Sequence, residues 1–157
     1  MKLLLPLLFL SLTASAQFNI KAGIAIPIPF YVQTPYTVDP SSALITASYT
    51  LKKWDIKATT GYLRFRPNTP DFGIAANIPL VFGASYHVSP TIYVGLQAGP
   101  SIFTELKVDD AKIKWLYSPH IGWHQKRWSV DLNYLNWEEV PDELNSLIFI
   151  ISYNLKK

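Results

Sequence analysis

No cysteine occurs in the 157 residues. The chain can therefore form no disulfide, offers no thiolate to a metal and has no thiol nucleophile. Charge is scarce too: Asp, Glu, Lys and Arg make up 16% of the chain, against about 25% in an ordinary soluble domain. The formal net charge of +3 is small and its carriers are scattered, which argues against nucleic acid as a partner. After Ala16 no continuous apolar run could form a spanning helix, and no repeat of about 20–50 residues is present. Yet 49% of the chain is hydrophobic, with five Trp and nine Tyr. The grease is there, but it is dealt out in some other way than in runs.

The exception is the first stretch. Met1-Lys2 precedes an apolar run from Leu3 to Leu12, and Thr13-Ala14-Ser15-Ala16 supplies small residues before Gln17. This pattern predicts a signal peptide over residues 1–16, cut after Ala14-Ser15-Ala16. The run is shorter than the roughly 20 residues a spanning helix needs, and Pro6 interrupts it. Residues 17–157 are then enough for one domain.

Within those residues the apolar side chains fall on every second position. The clearest stretch is Ala75–Phe103, where Ala76, Ile78, Leu80, Phe82, Ala84 and Tyr86 alternate with small or polar residues. A break at His87-Val88-Ser89-Pro90 follows, and Ile92, Val94, Leu96 and Ala98 resume the pattern. A period of two means a strand with one greasy face, and two such strands across a short break predict an antiparallel hairpin. The same period marks Phe18–Ile28, Ala43–Lys52, Trp54–Phe65, Ile113–Trp123, Trp128–Tyr134 and Leu147–Leu155. Pro27 and Pro29 end the first of these, and Pro35 and Pro40 predict irregular chain after it. The phase blurs at Tyr62-Leu63-Arg64-Phe65, where a bulge or a strand end is expected. His124-Gln125-Lys126-Arg127 reads as a turn, and Ile148 and Ile150 obscure the polar face of the last strand.

Eight strands, joined alternately by long and short connections, predict an eight-stranded antiparallel up-and-down transmembrane β-barrel with short turns on the periplasmic side. Charge sorts the same way. Lys52, Lys53, Lys126, Arg127, Lys156 and Lys157 lie at the short turns and the C-terminus, and most acidic residues lie in the long connections. The alternative is a soluble, secreted, lipocalin-like barrel with its grease inward around a small apolar ligand. A water-facing surface would carry more charge than the polar parity here supplies. Trp54, Tyr86, Trp115, Trp123, Trp128, Tyr134 and Tyr153 also cluster near strand ends on the greasy parity, as membrane girdles do.

The residues Phe18-Asn19-Ile20-Lys21-Ala22-Gly23 after the Ala-Ser-Ala cut, Asn77-Ile78-Pro79-Leu80 and Gln97-Ala98-Gly99-Pro100-Ser101 carry a likeness. The chain resembles the small outer-membrane β-barrel proteins of Bacteroidetes, the PorT-like or outer membrane protein beta-barrel domain group, over nearly all of residues 17–157. Members of that group commonly end on an aromatic residue, whereas this chain ends Tyr153-Asn154-Leu155-Lys156-Lys157. The resemblance implies residence in the cell outer membrane and says little about chemistry.

Three histidines are the candidates for a reaction or a metal. His87-Val88-Ser89 is similar to the His-x-Ser of lipid A deacylase barrels, but it falls at a short turn, away from the outer leaflet, and no carboxylate lies in the local sequence. A polar turn residue is the expected role. His120 and His124, four apart on a strand, stand about 13 Å from each other and cannot share a metal. His120 is expected in the lumen and His124 at the basic turn. The Glu138–Glu143 segment lacks the turn glycine of a calcium loop. The inward parity holds Lys21, Asp55, Lys57, Ser85, Gln97, Lys114, His120, Asp131 and Asn133, among others, with the lysines and aspartates expected to neutralise one another in a lumen about one side-chain layer wide. No catalytic residue, cofactor or metal is expected. The expected protein is an integral outer-membrane barrel with a structural or surface-interaction role, its partners being outer-membrane lipid and the barrel assembly machinery during biogenesis.

Overall fold

Strands whose side chains alternate between lipid and lumen can satisfy their backbone groups only by pairing on both edges, and this chain does so by closing on itself. The computed structural model describes residues 17–27, 36–39, 41–67, 75–103, 113–138 and 145–155. The elements are β1 (Gln17–Pro27), β2 (Tyr36–Val38), β3 (Ala43–Leu51), β4 (Trp54–Pro67), β5 (Ala75–His87), β6 (Ile92–Phe103), β7 (Ile113–Gln125), β8 (Trp128–Trp137) and β9 (Ser146–Asn154). Eight of them run antiparallel in the order β1-β3-β4-β5-β6-β7-β8-β9, and β9 pairs with β1 to close the barrel. The expected signal segment and most of the long connections lie outside the described residues.

Two details depart from the sequence expectation. The first is β2, three residues of strand between Pro35 and Pro40 where irregular chain was expected. It occupies the lane of β3 beyond the point where β3 ends, pairing Tyr36–Val38 with Pro67–Phe65 of the longer β4. Asp39 makes the join. Its N–H donates to Arg64 O (2.6 Å) and its carbonyl accepts from Ser42 N (3.0 Å). Ser41 N donates to Asp39 Oδ1 (2.9 Å), and the Arg66 guanidinium lies 2.6 Å from Oδ2. The Ser41 hydrogen bonds, followed by Arg66, hold the Asp39 carboxyl below the usual carboxylate range.

The second concerns Tyr62–Phe65. The β4–β5 register keeps the same offset on either side of this segment, so β4 gains no residue against β5; on its other edge the offset changes by two residues where β2 hands over to β3. The phase blurs because the lumen itself is apolar at that level: Leu63 and Phe65 point inward and are buried, while Tyr62 and Arg66 are exposed.

Three strands carry proline in their interiors, where a ladder loses a donor. The ladder gaps match them. Pairing skips the positions opposite Pro79 between β4 and β5, those containing Pro100 between β5 and β6, and those containing Pro119 between β7 and β8. All other seams run unbroken.

The outer face is apolar all the way round. Ile24, Ile45, Ile56, Phe82, Leu96, Ile121, Trp128 and Phe149, one from each barrel strand, are all exposed. Trp54 against Tyr86 and Trp128 against Tyr153, each pair with centroids 5.0 Å apart, stand at the short-turn end. This is the surface of a barrel seated in a bilayer, of the outer-membrane type, and water could not wet it without large cost.

The lumen is divided along its axis. Toward the long connections it is filled by Ala25, Leu44, Leu63, Phe65, Phe103, Leu116, Leu135, Trp137 and Ile148, a continuous apolar septum. Trp137 lies edge-on to Phe65 (5.4 Å) and beside Phe103 (5.8 Å), and its indole N–H donates to Ser101 Oγ (3.1 Å). Ile148, which obscured the alternation, belongs to this septum. Toward the short turns the lumen is polar.

Because Trp137 fills the middle of the septum, Trp137→Ala should lower stability by about 3–5 kcal/mol. Urea unfolding in lipid vesicles measures it; a loss under about 1 kcal/mol would mean that the septum is not close-packed.

Candidate functional site

The polar half-lumen is organised on one ring. Tyr93 shares its parity on β6 with Gly95 and Gln97, so it points inward, and it is almost fully buried. Lys57 of β4 places its ammonium 4.1 Å from the ring centroid, with the Lys21 ammonium of β1 at 5.6 Å. The hydroxyl donates to Asp131 Oδ1 of β8 at 2.6 Å. His124 stacks on the ring (5.9 Å, 29°), and His87 and His120 approach it at 5.5 and 6.3 Å. Two glycines make the room. A Cβ at Gly122 would run into the Tyr93 ring, and one at Gly95 would meet Ser85 and His120.

Around this centre most of the remaining polar groups pair locally, while Ser129 Oγ and Asn133 Nδ2 are buried without a hydrogen-bond partner among the described residues. Asp55, facing inward on β4, accepts from Thr50 Oγ1 (2.6 Å) and lies 2.9 Å from His87 Nε2. Ser85 Oγ and His120 Nε2 are 2.7 Å apart. Gln97 Nε2 donates to Thr59 Oγ1 (2.9 Å), which also lies 2.9 Å from Thr46 Oγ1. Ser118 Oγ donates to Asn133 Oδ1 at 3.2 Å. Lys57 and Asp55 each keep only 6% of their surface exposed. An unpaired ion so buried would be penalised by several kcal/mol, and the ring, hydroxyl and imidazole contacts offset that penalty.

The charges do not meet as the sequence suggested. Among the described residues neither Lys21 nor Lys57 forms a direct ion pair with Asp55 or Asp131. Tyr93 stands between them, with cations on its face and an anion at its hydroxyl. Sequence reading placed Lys21, Lys57, Asp55, Asp131 and His120 correctly in the lumen, but omitted Tyr93. Its two-residue step from Gly95 and Gln97 was the available signal.

His87 does have a carboxylate partner, Asp55, supplied by the neighbouring strand rather than by local sequence. Ser89, however, spends its oxygen accepting from Thr91 N (3.2 Å) and Ile92 N (3.0 Å) inside the turn, and no hydrogen bond to His87 is formed. The His-x-Ser spacing therefore builds a turn here. His124 is not part of a turn: β7 runs through Gln125, only Lys126-Arg127 turn, and the His124 ring faces the lumen beside His87 (5.4 Å). Among the described residues no three His, Asp or Glu side chains converge as a metal set.

No protein-family model matches the chain, and no curated protein matches it. The solved structures similar in fold include two of one protein. One is the backbone structure of the Yersinia pestis outer membrane protein Ail in a phospholipid bilayer nanodisc, with a TM-score of 0.61 and 11% identity over 90% of this chain and 100% of that one. The other is the crystal structure of Ail, the attachment invasion locus protein of Yersinia pestis, with a TM-score of 0.50 and 9% identity over 89% of this chain and 96% of that one. At these identities the likeness is one of architecture.

If Tyr93 mediates between the lumenal charges, Tyr93→Phe should cost about 1–3 kcal/mol, because Asp131 loses its donor while the ring stays in place. Tyr93→Leu, which also removes the face offered to Lys57, should cost more. Urea unfolding of both variants in vesicles checks the order; equal losses would mean that only volume matters.

Proposed function

We propose that this protein is an integral outer-membrane barrel with a structural or surface-interaction role, its long connections facing the exterior and its short turns the periplasm. The observation that carries this reading is the combination of a lipid-facing outer wall with an apolar septum across the lumen. The wall calls for a bilayer. The septum packs apolar side chains across the lumen, which favours a sealed barrel over a route for solutes. The loops, where most acidic residues lie, are then the parts free to meet partners. The similar Yersinia protein bears attachment and invasion in its name, which supports a surface role without assigning one. The Bacteroidetes PorT-like resemblance fits the same reading. Lipid and the barrel assembly machinery are the proposed partners, and a cleaved signal over residues 1–16 the proposed route of export.

Cysteines placed singly at Thr37, Asn68, Asp110 and Asp142 should react with an impermeant maleimide on intact cells, and the native chain has no cysteine to interfere. Those at Lys53, Ser89 and Gln125 should react only once the outer membrane is opened. The opposite pattern would invert the topology, and labelling of every site on protein recovered from the medium would favour a soluble barrel.

Pure protein in planar bilayers should give no steady current, since an apolar septum disfavours a water column through the lumen. A stable ohmic conductance would defeat the sealed reading and support transport.

A further inference from the structure

We infer that the short-turn mouth of the lumen is a binding site for a phosphate-type oxyanion, whether the headgroup of a phospholipid or a free phosphate. A cleft of about 530 Å³ opens there, lined by Thr50, Lys52 and Lys53 at the β3–β4 turn, by His87–Pro90 at the β5–β6 turn and by His124 of β7. No acidic residue is among them. The ammoniums of Lys52 and Lys53, which act as point charges, and the His124 imidazole border the cleft from two separate elements, while Thr50 and His87 are engaged by Asp55.

Two observations single this place out from an ordinary basic rim. The first is His124. Its ring is held by stacking on Tyr93 and by the edge of His87, not by hydrogen bonds. Its ring nitrogens make no hydrogen bond to another described residue, so a fixed imidazole faces the cleft with its polar atoms uncommitted. The second is the disposition of the acids. The carboxylates of this half of the barrel, Asp55 and Asp131, are engaged by Thr50 and His87 and by Tyr93. Lys52 and Lys53 are exposed and, among the described residues, pair with no carboxylate. Positive charge is thus left uncompensated where a preformed donor waits, and a cation is excluded by the same arrangement. The inference does not depend on which compartment the mouth faces or on what the loops do.

The test uses the full folded barrel in octyl glucoside micelles, which contain no phosphate. Inorganic phosphate is titrated while amide shifts of Lys53, Val88 and Ser89 and the His124 imidazole signals are followed by NMR. A parallel series dopes the micelles with phosphatidylglycerol. Saturable shifts confined to these residues are expected in at least one series: with free phosphate the ligand is a soluble anion, and with the lipid alone it is a headgroup. Lys52→Gln with Lys53→Gln, in an exposed turn, should weaken binding at least about tenfold. His124→Phe, which keeps the stacking, should weaken it also, whereas Lys126→Gln, outside the cleft, should not. Folding of each variant is confirmed by its mobility on an unheated gel. Shifts reproduced by chloride at equal ionic strength, unchanged in the double lysine variant, or absent in both series, would overturn the site.

Discussion

The whole structure depends on one requirement: inside a bilayer a backbone N–H or C=O has no water to turn to. Closure through the β9–β1 seam removes both edges at once. Everything else follows from the two faces that closure creates. One must match lipid and is apolar on every strand. The other must fill a space about as wide as its own side chains, so each inward residue needs a partner from across the lumen or from the next strand.

The faces were legible in the sequence because a strand's period of two needs no tertiary information. Ile45, Tyr49, Ile56 and Trp54 read outward, and Ser48, Asp55 and Lys57 inward, from spacing alone. What spacing does not carry is position along the barrel axis relative to other strands. Leu63 and Phe65 looked like a loss of phase because an apolar lumenal residue and a lipid-facing one are the same kind of residue. Only when Phe103, Trp137 and Ile148 arrive at the same level from other strands do they become a septum. The short β2 was hidden for a related reason: its pairing partner is the overhang of β4, and overhang is a property of two strands.

The candidate site shows the same division. That Lys21, Lys57, Asp55 and Asp131 share the lumen is a matter of parity. That they deal with one another through Tyr93 is a matter of distance across the barrel, since β1, β4, β6 and β8 are not neighbours of one another. Tyr93 suits the position because its ring face attracts cations while its hydroxyl donates to an anion. A second carboxylate or lysine there could have satisfied only one sign. His87 and Asp55 meet by a different logic, the diagonal of an adjacent pair, which a reading confined to local sequence does not reach.

The proline gaps divide the wall unequally. The seams β8–β9, β9–β1, β1–β3 and β3–β4 are uninterrupted, so five strands form one unbroken sheet, and that sheet contains the first strand and the last. The strands between them in sequence, β5 to β7, are joined by seams of which only β6–β7 is intact. One seam of that sheet, β9–β1, connects residues more than a hundred positions apart, such as Ile24 and Ile151. Loop-closure entropy must be met before such pairs form, and chains dominated by distant pairings fold slowly. The unbroken sheet is therefore complete only once its most distant seam has closed.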